Sequence, residues 1–557
     1  MTRARIANLG LCAAVLSATA CYYDPPRGRD DVFGSDTSVD PTQQSIPIVA
    51  NQDVDILFVI DNSYSMGEPQ RRLARDAGKF IDALEATSAN YRIGFTTTDA
   101  GNPRCPNTTP ENGALVLKSC LDRADDGEFN AYVADENKDY SNVCSDHCSK
   151  RDADLTVHPT PTQYDPSPSP RRWIERYGDE LNIEGLESNA EAFKCYAPQG
   201  LSGCGFESHL ESMYESLDRS SAQGDNYGFI REAAVLAIVI VSDEIDCSYQ
   251  QEDIFTTNKV FWNPDDPAPT SRLCWRAGVE CAGNSPYSDC HAAKWGLNAD
   301  KNAAVVDVPD AEAVLRPVGE YISFVAAIQA EKQTLDPDQQ VLVSLITGVP
   351  PGYKDGSAEL VYADANDEEV QDLFGIGPGC SFDDPTAGER GAVPPVRERE
   401  FAEAFTDGSL AHNLYSICES TYANTLTSIA ERIGSQLRPG CMPSCVLDLD
   451  PATPTADTDC KLYESLDGTN KVEIPPCVSK EGKWATPGPD APTCFAQLVD
   501  VDSTQTPSAL DDMSPACVDQ GLNLEFKIVR TGPTSLGSRL TALCQLSDNK
   551  PRDCPML

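Results

Sequence analysis

Two long apolar runs and two shorter ones punctuate the chain. Val54–Ile60 is apolar except for Asp55 and stops at Asp61. Ala233–Val241 is apolar throughout and stops at Ser242-Asp243. Tyr91–Thr97 and Val341–Thr347 are broken by polar residues into shorter apolar pieces, and Gly348 closes the second. Runs without polar alternation read as strands covered on both faces, as in a parallel sheet. Between them the period changes. Leu73, Ala77, Phe80, Ile81 and Leu84 recur at helical spacing, which predicts a helix over Arg71–Ala86. Leu210, Met213, Tyr214 and Leu217 predict one over Glu207–Leu217. Tyr321–Ala330 is another, and Asn413–Leu437 reads as one long helix with Ile417, Leu426, Ile429 and Ile433 inward. Strand, loop, helix, strand implies a right-handed crossover. Mature chains of this length divide into domains.

Three segments break this rhythm. Residues 99–200, 249–310 and 350–410 are loop-rich, with Pro, Asp and Cys in the first and Gly375, Gly377 and Gly379 in the third. They read as disulfide-stapled surface insertions, with one short helix near Trp173–Tyr177 and little core. At Arg438-Pro439-Gly440-Cys441 the character changes again. Residues 439–557 predict a small β-rich, cysteine-containing domain, with strands at Lys471–Ile474, Cys494–Val499 and Leu524–Val529. The alternative is an extension that wraps the first domain.

The amino terminus has Arg3 and Arg5, then an apolar stretch from Ile6 to Ala20 too short to span a bilayer. Residues 1–20 read as a signal peptide. Cys21 follows small residues, as in a bacterial lipoprotein box, and is the expected lipidation site. Residues 21–50, rich in Pro, Asp, Ser, Thr and Gln, read as a flexible acidic tether. The expected place is the outer membrane or cell surface, with the lipid as sole anchor.

The net charge of −44 excludes a nucleic-acid footprint and adsorption on anionic lipid. Of 22 cysteines, Cys12 lies in the leader and Cys21 takes lipid, which leaves an even set and up to ten disulfides. Cys144 with Cys148, Cys195 with Cys204 and Cys441 with Cys445 are close in sequence, but sequence does not assign partners. His147 beside Cys148 and His291 beside Cys290 match no zinc spacing. Asp364–Glu369 opens like a calcium loop but lacks its Gly and terminal Glu, and reads as a solvated acidic turn.

The candidate chemistry lies where the first run ends. Asp61-Asn62-Ser63-Tyr64-Ser65 offers one carboxylate and two hydroxyls at the carboxyl end of a strand, where open α/β folds bind ligands. Hard oxygens of this kind suit Mg²⁺. The strand ending in Asp61-x-Ser63-x-Ser65, the helix after it, and the second strand ending in Asp243 resemble a von Willebrand factor type A domain over about 53–438. With its lipobox, tether and Asp243-Glu244-Ile245-Asp246-Cys247-Ser248, the chain resembles secreted or lipid-anchored proteins of that family in myxobacteria and related bacteria.

The resemblance implies an α/β fold with a doubly wound, mostly parallel, Rossmann-like sheet over 51–438. It implies a metal-ion-dependent adhesion site held by Asp61, Ser63, Ser65 and Asp243. Mg²⁺ is the expected ion, with Mn²⁺ or Ca²⁺ as alternatives, and a partner's carboxylate fills the open position. The family's Thr is absent from the matching loop, Leu201–Ser208, where Glu207, Ser202 or Ser208 takes its place. Glu244 and Asp246 are expected toward solvent or behind the ligands, and His209 on a helix surface. The expected function is metal-dependent protein or matrix binding, not catalysis, since no catalytic motif accompanies the site. The rivals are a structural envelope scaffold with a vestigial site and a metal-assisted hydrolase.

Overall fold

A computed structural model describes residues 43–555, apart from 134–135, 222–223, 407–411, 466–469, 502 and 536. The signal peptide, Cys21 and the tether up to residue 42 lie outside the described residues. The described residues form one compact unit. It is a mixed α/β structure with one seven-stranded sheet, several small sheets, disulfide-linked loops and a cysteine-rich carboxyl-terminal β region.

In the seven-stranded sheet the order is Leu414–Ser416, Leu342–Thr347, Val235–Val241, Asp53–Ile60, Asn90–Thr97, Ile174–Tyr177 and Glu180–Leu181. The first five pair in parallel and the last two are antiparallel. Side chains alternate across a strand, so the central strand feeds two cores. Val54, Ile56, Phe58 and Ile60 pack with Leu73, Phe80 and Leu84 of the Gly67–Ala86 helix and Leu426 and Ile433 of the Ala423–Gln436 helix. Leu57 and Val59 pack on the other face with Leu210 and Met213 of the His209–Asp218 helix and Tyr321 and Val325 of the Val318–Gln333 helix. Helices thus cover both faces, which is why the apolar runs show no polar alternation.

Several sequence expectations are corrected. Gln43–Ile48, read as tether, is a strand paired antiparallel with Arg539–Gln545, and Ile48 is buried against Phe526 and Ile528. Ile174–Tyr177, read as a helix, is a fully buried strand beside Asn90–Thr97. The 99–200 segment also supplies core. Phe193 packs against Phe58, Phe80 and Phe95 with ring centroids 5.1–5.6 Å apart. The long helix predicted over Asn413–Leu437 is a strand, Leu414–Ser416, then a helix, Ala423–Gln436. Asp364–Glu369, read as a solvated acidic turn, leads into the Glu368–Phe374 helix, which Asp367 caps by accepting the Glu369 N–H.

All twenty cysteines beyond Cys21 are bridged, in ten disulfides. None joins the sequence-close pairs: Cys144 bonds Cys120, Cys148 bonds Cys195, and Cys204 bonds Cys105. Four of the ten lie within residues 441–554, around a core of Met442, Leu462, Phe495 and Phe526. Among the described residues, no helix is long and apolar enough to cross a membrane.

Candidate metal centre

The strands Asp53–Ile60 and Val235–Val241 are parallel neighbours with Ile60 opposite Val241. Beyond that pair, the Asp61 N–H donates to the Val241 carbonyl at 2.9 Å. From the first strand the chain goes on to the neighbour on one side, and later strands build out on the other. The sheet therefore has its topological switch point here, where strand ends leave a crevice for ligands. Asp61 and Asp243 both emerge at this point.

The loop after Asp61 is tightly bonded. The Ser63 N–H donates to Asp61 Oδ1 at 2.7 Å, an Asx turn. Ser63 Oγ and Ser65 Oγ are 3.0 Å apart. Ser65 Oγ donates to Asp243 Oδ1 at 2.9 Å. Gln70, on the following helix, donates from Nε2 to the carbonyls of Asp61 and Gly200, and its Oε1 accepts the Gln199 N–H. This amide stitches the Asp61 loop to the segment before Glu207. The two loops also meet at Gly203, whose N–H donates to the Asn62 carbonyl at 2.9 Å. A Cβ at Gly203 would lie 2.0 Å from Asn62 Oδ1, so any larger residue there requires the Asn62 side chain to move.

Glu207 is fully buried just before the His209–Asp218 helix. Its Oε2 accepts the Thr98 hydroxyl from the end of the neighbouring strand. A threonine is therefore present beside Glu207, but it comes from a different strand end than the matching loop. The other two candidates behave differently. Ser202 is exposed and donates to the Glu128 carbonyl at 3.1 Å, while Ser208 is buried and its N–H donates to the Thr98 carbonyl.

Behind the loop lies a buried polar chain that local sequence patterns did not reveal. Ser242 Oγ donates to Asp61 Oδ2 at 2.6 Å and lies 2.6 Å from His209 Nε2. His209 Nδ1 is 3.2 Å from Glu398 Oε1, an ion pair without hydrogen-bond geometry. Arg397 Nε donates to Asp246 Oδ2 at 2.9 Å, and Asp246 Oδ1 accepts the Leu210 N–H and the Ser248 hydroxyl. One expectation thus reverses: His209 is buried and not on a surface, while Glu244 and Asp246 take the second of their two expected places, buried behind the ligands. Each is covered because the Val396–Glu403 helix and the segment after Val241 pack over this end of the sheet.

The electrostatics show a shortage of positive charge. Burial raises the Asp61 carboxyl, although His209 and the hydroxyl of Ser242 pull it back. Burial and the Asp61 charge push Asp243 up to about 7. Burial, then Asp61, raises Glu207 and Glu244 well above the usual carboxylate range. Burial alone would lower the His209 imidazolium, but Glu398, Asp246 and Asp61 outweigh it and hold it raised. Asp243 Oδ2 and Glu207 Oε1 are buried without a hydrogen-bond partner, as are both oxygens of Glu398, which faces His209 instead. Unpaired buried carboxylate oxygen is costly unless a cation or a proton satisfies it. Two hydroxyls beside such carboxylates are the donor set of a hard divalent ion, so these residues fit an ion of that class.

Two other groups converge within 4.8 Å, Cys120–Cys144–Cys148 and Asp500–Asp511–Asp512. The three sulfurs are held in disulfides and are not thiolates. Asp500 accepts the N–H groups of Gln505 and Thr506, and Asp511 accepts the Thr506 hydroxyl, so these carboxylates order their own loop. Asp61, Asp243 and Glu207 form no such group and are spread wider than three directly coordinating carboxylates. Cavities of about 420 Å³ beside Leu437 and Cys441, and about 240 Å³ beside Trp484 and Lys527, contain none of these residues.

No protein-family model matches this sequence, and no curated protein matches it. Solved structures give a faint likeness. The pilus adhesin SpaC from Lactobacillus rhamnosus GG aligns with a TM-score of 0.28 and 8% identity, over 92% of this chain and 42% of that one. The pilus adhesin RrgA from Streptococcus pneumoniae gives 0.24 and 8%, over 91% and 59%. The chain thus spans about half the length of these adhesins. At such scores the likeness carries no argument, and the reading of the site rests on its own geometry.

Proposed function

We propose that this chain is an extracytoplasmic binding protein of the von Willebrand factor type A kind, which recognises a protein or matrix ligand through a divalent ion. The observation that carries this reading is the bonded set Asp61, Ser63, Ser65 and Asp243 at the sheet's switch point, with Asp243 Oδ2 buried and unpartnered. Five parallel strands with helices on both faces support the fold assignment. The two serine hydroxyls and the carboxylates of Asp61 and Asp243 would hold Mg²⁺, directly or through water. The ion would supply Lewis-acid attraction for a ligand carboxylate. The surrounding chain would keep the hydroxyls and carboxylates in place.

Glu207 sits behind this set, bonded to Thr98. In this reading it stays protonated and outside the coordination shell, which preserves the ion's pull on a ligand. Ten disulfides support an oxidising compartment. The lipidated Cys21 and an outer-membrane or cell-surface place belong to the same proposal. The scaffold reading has one observation in its favour: Ser63, Ser65 and Asp243 bond one another directly.

Calorimetric titration with Mg²⁺ and Mn²⁺ separates the two. Saturable binding in the wild type that is lost in Asp61→Ala supports the binding reading. No saturable binding leaves only the scaffold, and binding that survives Asp61→Ala places the ion elsewhere.

A further inference from the structure

An arginine from a distant insertion stands over the candidate metal loop. Arg390 lies on the hairpin Cys380–Asp384 and Gly388–Ala392, directly opposite Phe382. Opposed residues of an antiparallel pair point to one face. Phe382 is buried, with the Arg72 guanidinium 5.3 Å from its ring, so that face looks inward. The Arg390 guanidinium accordingly sits 5.2 Å from the ring of Tyr64, between Ser63 and Ser65. Its position is fixed from two sides. The Cys380–Cys418 disulfide anchors one strand of the hairpin. Just past the other strand, the Val393 N–H donates to the Asp243 carbonyl at 2.8 Å.

Among the described residues this guanidinium forms no ion pair, and it lies against the hydroxyls of Tyr64 and Tyr140. Its Nε and Nη2 are buried and have no hydrogen-bond partner. Its charge is felt at Asp243, which it lowers against the effect of burial. Tyr64 beside it is 38% exposed and Arg390 itself is half-buried, so the pair reaches the surface although Nε and Nη2 lie beneath it. The chain as a whole carries −44, and its field repels an acidic partner. A ligand carboxylate arriving here needs local positive charge.

We infer that Arg390 is a specificity-determining residue of the metal face, which takes a ligand carboxylate jointly with the bound ion. The inference rests on the proposed metal reading and deepens it. The ion would take one oxygen and the guanidinium would donate to the other. A planar fork of N–H donors matches a carboxylate better than a point charge does. The recognised group is then a carboxylate, such as an acidic side chain, held at two points.

The test uses Mn²⁺ and acetate on the purified chain. Bound Mn²⁺ enhances water-proton relaxation, and acetate displaces its water and lowers that enhancement. In Arg390→Gln, Mn²⁺ affinity should stay within about threefold while acetate affinity falls by about tenfold or more, the loss of one charge-assisted bond. Arg390→Lys, which keeps the charge but not the fork, should fall between. Equal acetate affinity in wild type and Arg390→Gln overturns the inference. So does a change confined to Mn²⁺ affinity, which would make Arg390 only a counter-charge for Asp243. Absence of Mn²⁺ binding in the wild type overturns the metal reading, and this inference with it.

Discussion

The hydroxyl of Ser65 donates to the carboxylate of Asp243 across 178 residues of sequence, at 2.9 Å. This bond joins the loop after one strand to the end of its parallel neighbour. It leaves Asp243 Oδ2 unpartnered. An ion at this place would replace a hydrogen bond with coordination and satisfy the oxygen left over.

Ion binding should depend on pH. Asp243 is raised from 3.8 to about 7 by burial and by Asp61. Between those values the folded, ion-free chain holds a proton there that the unfolded chain has lost. Its contribution to stability therefore falls as pH rises through this window and levels off above about 7. The ion displaces the same proton, so affinity rises with pH and then flattens. Mn²⁺ should bind about tenfold more tightly at pH 8 than at pH 6, with proton release at the lower pH. Calorimetry in two buffers of different ionisation enthalpy measures both effects. An affinity independent of pH contradicts the assignment of Asp243.

Ser242→Ala removes the hydroxyl shared by Asp61 and His209. It leaves a buried carboxylate oxygen and a buried ring nitrogen without each other's bridge. The expected cost is about 1–3 kcal/mol of folding stability. Urea unfolding reads it directly. A change below about 0.5 kcal/mol would mean that the polar chain behind the loop is not closed in solution.

Glu207→Gln tests whether that residue is a ligand. Burial, then the Asp61 charge, raises its carboxyl well above the usual range, which favours the neutral form that an amide mimics. The amide should therefore be tolerated, with stability changed by less than about 1 kcal/mol. Ion affinity should stay within about threefold. A tenfold loss of affinity would assign Glu207 to the coordination shell.

Much of this was legible in the sequence for a physical reason. Val54–Ile60 and Val235–Val241 are buried on both faces, so their lack of alternation marked them as strands and marked Asp61 and Asp243 as strand ends. The polar network behind them was not legible. Asp246 meets Arg397 across 151 residues and Ser242 meets Asp61 across 181. A charged residue read locally looks solvated, because its neutralising partner lies far along the chain. Gln43–Ile48 was missed likewise, since its strand partner Arg539–Gln545 is at the other end of the sequence. His209 looked like a surface residue because only the fold brings Glu398 over it.

The Cys380–Cys418 bridge should support the hairpin that carries Arg390. It closes 38 residues, for which the chain-entropy model gives about 4 kcal/mol and typical removals cost about 2–4 kcal/mol. The double variant Cys380→Ser, Cys418→Ser should lose stability in that range. Hydrogen exchange should rise first in residues 380–392. Unchanged protection there would mean that the Val393–Asp243 bond and side-chain packing hold the hairpin unaided.

The central claim is that a divalent ion sits at the switch point of the seven-stranded sheet. Crystals of the chain grown with Mn²⁺ and measured near the manganese absorption edge test it most directly. The account predicts an anomalous peak bounded by Ser63, Ser65, Asp61 and Asp243, with at least one water in its shell. A peak at Asp500–Asp511–Asp512 instead, or no peak under saturating Mn²⁺, would contradict it.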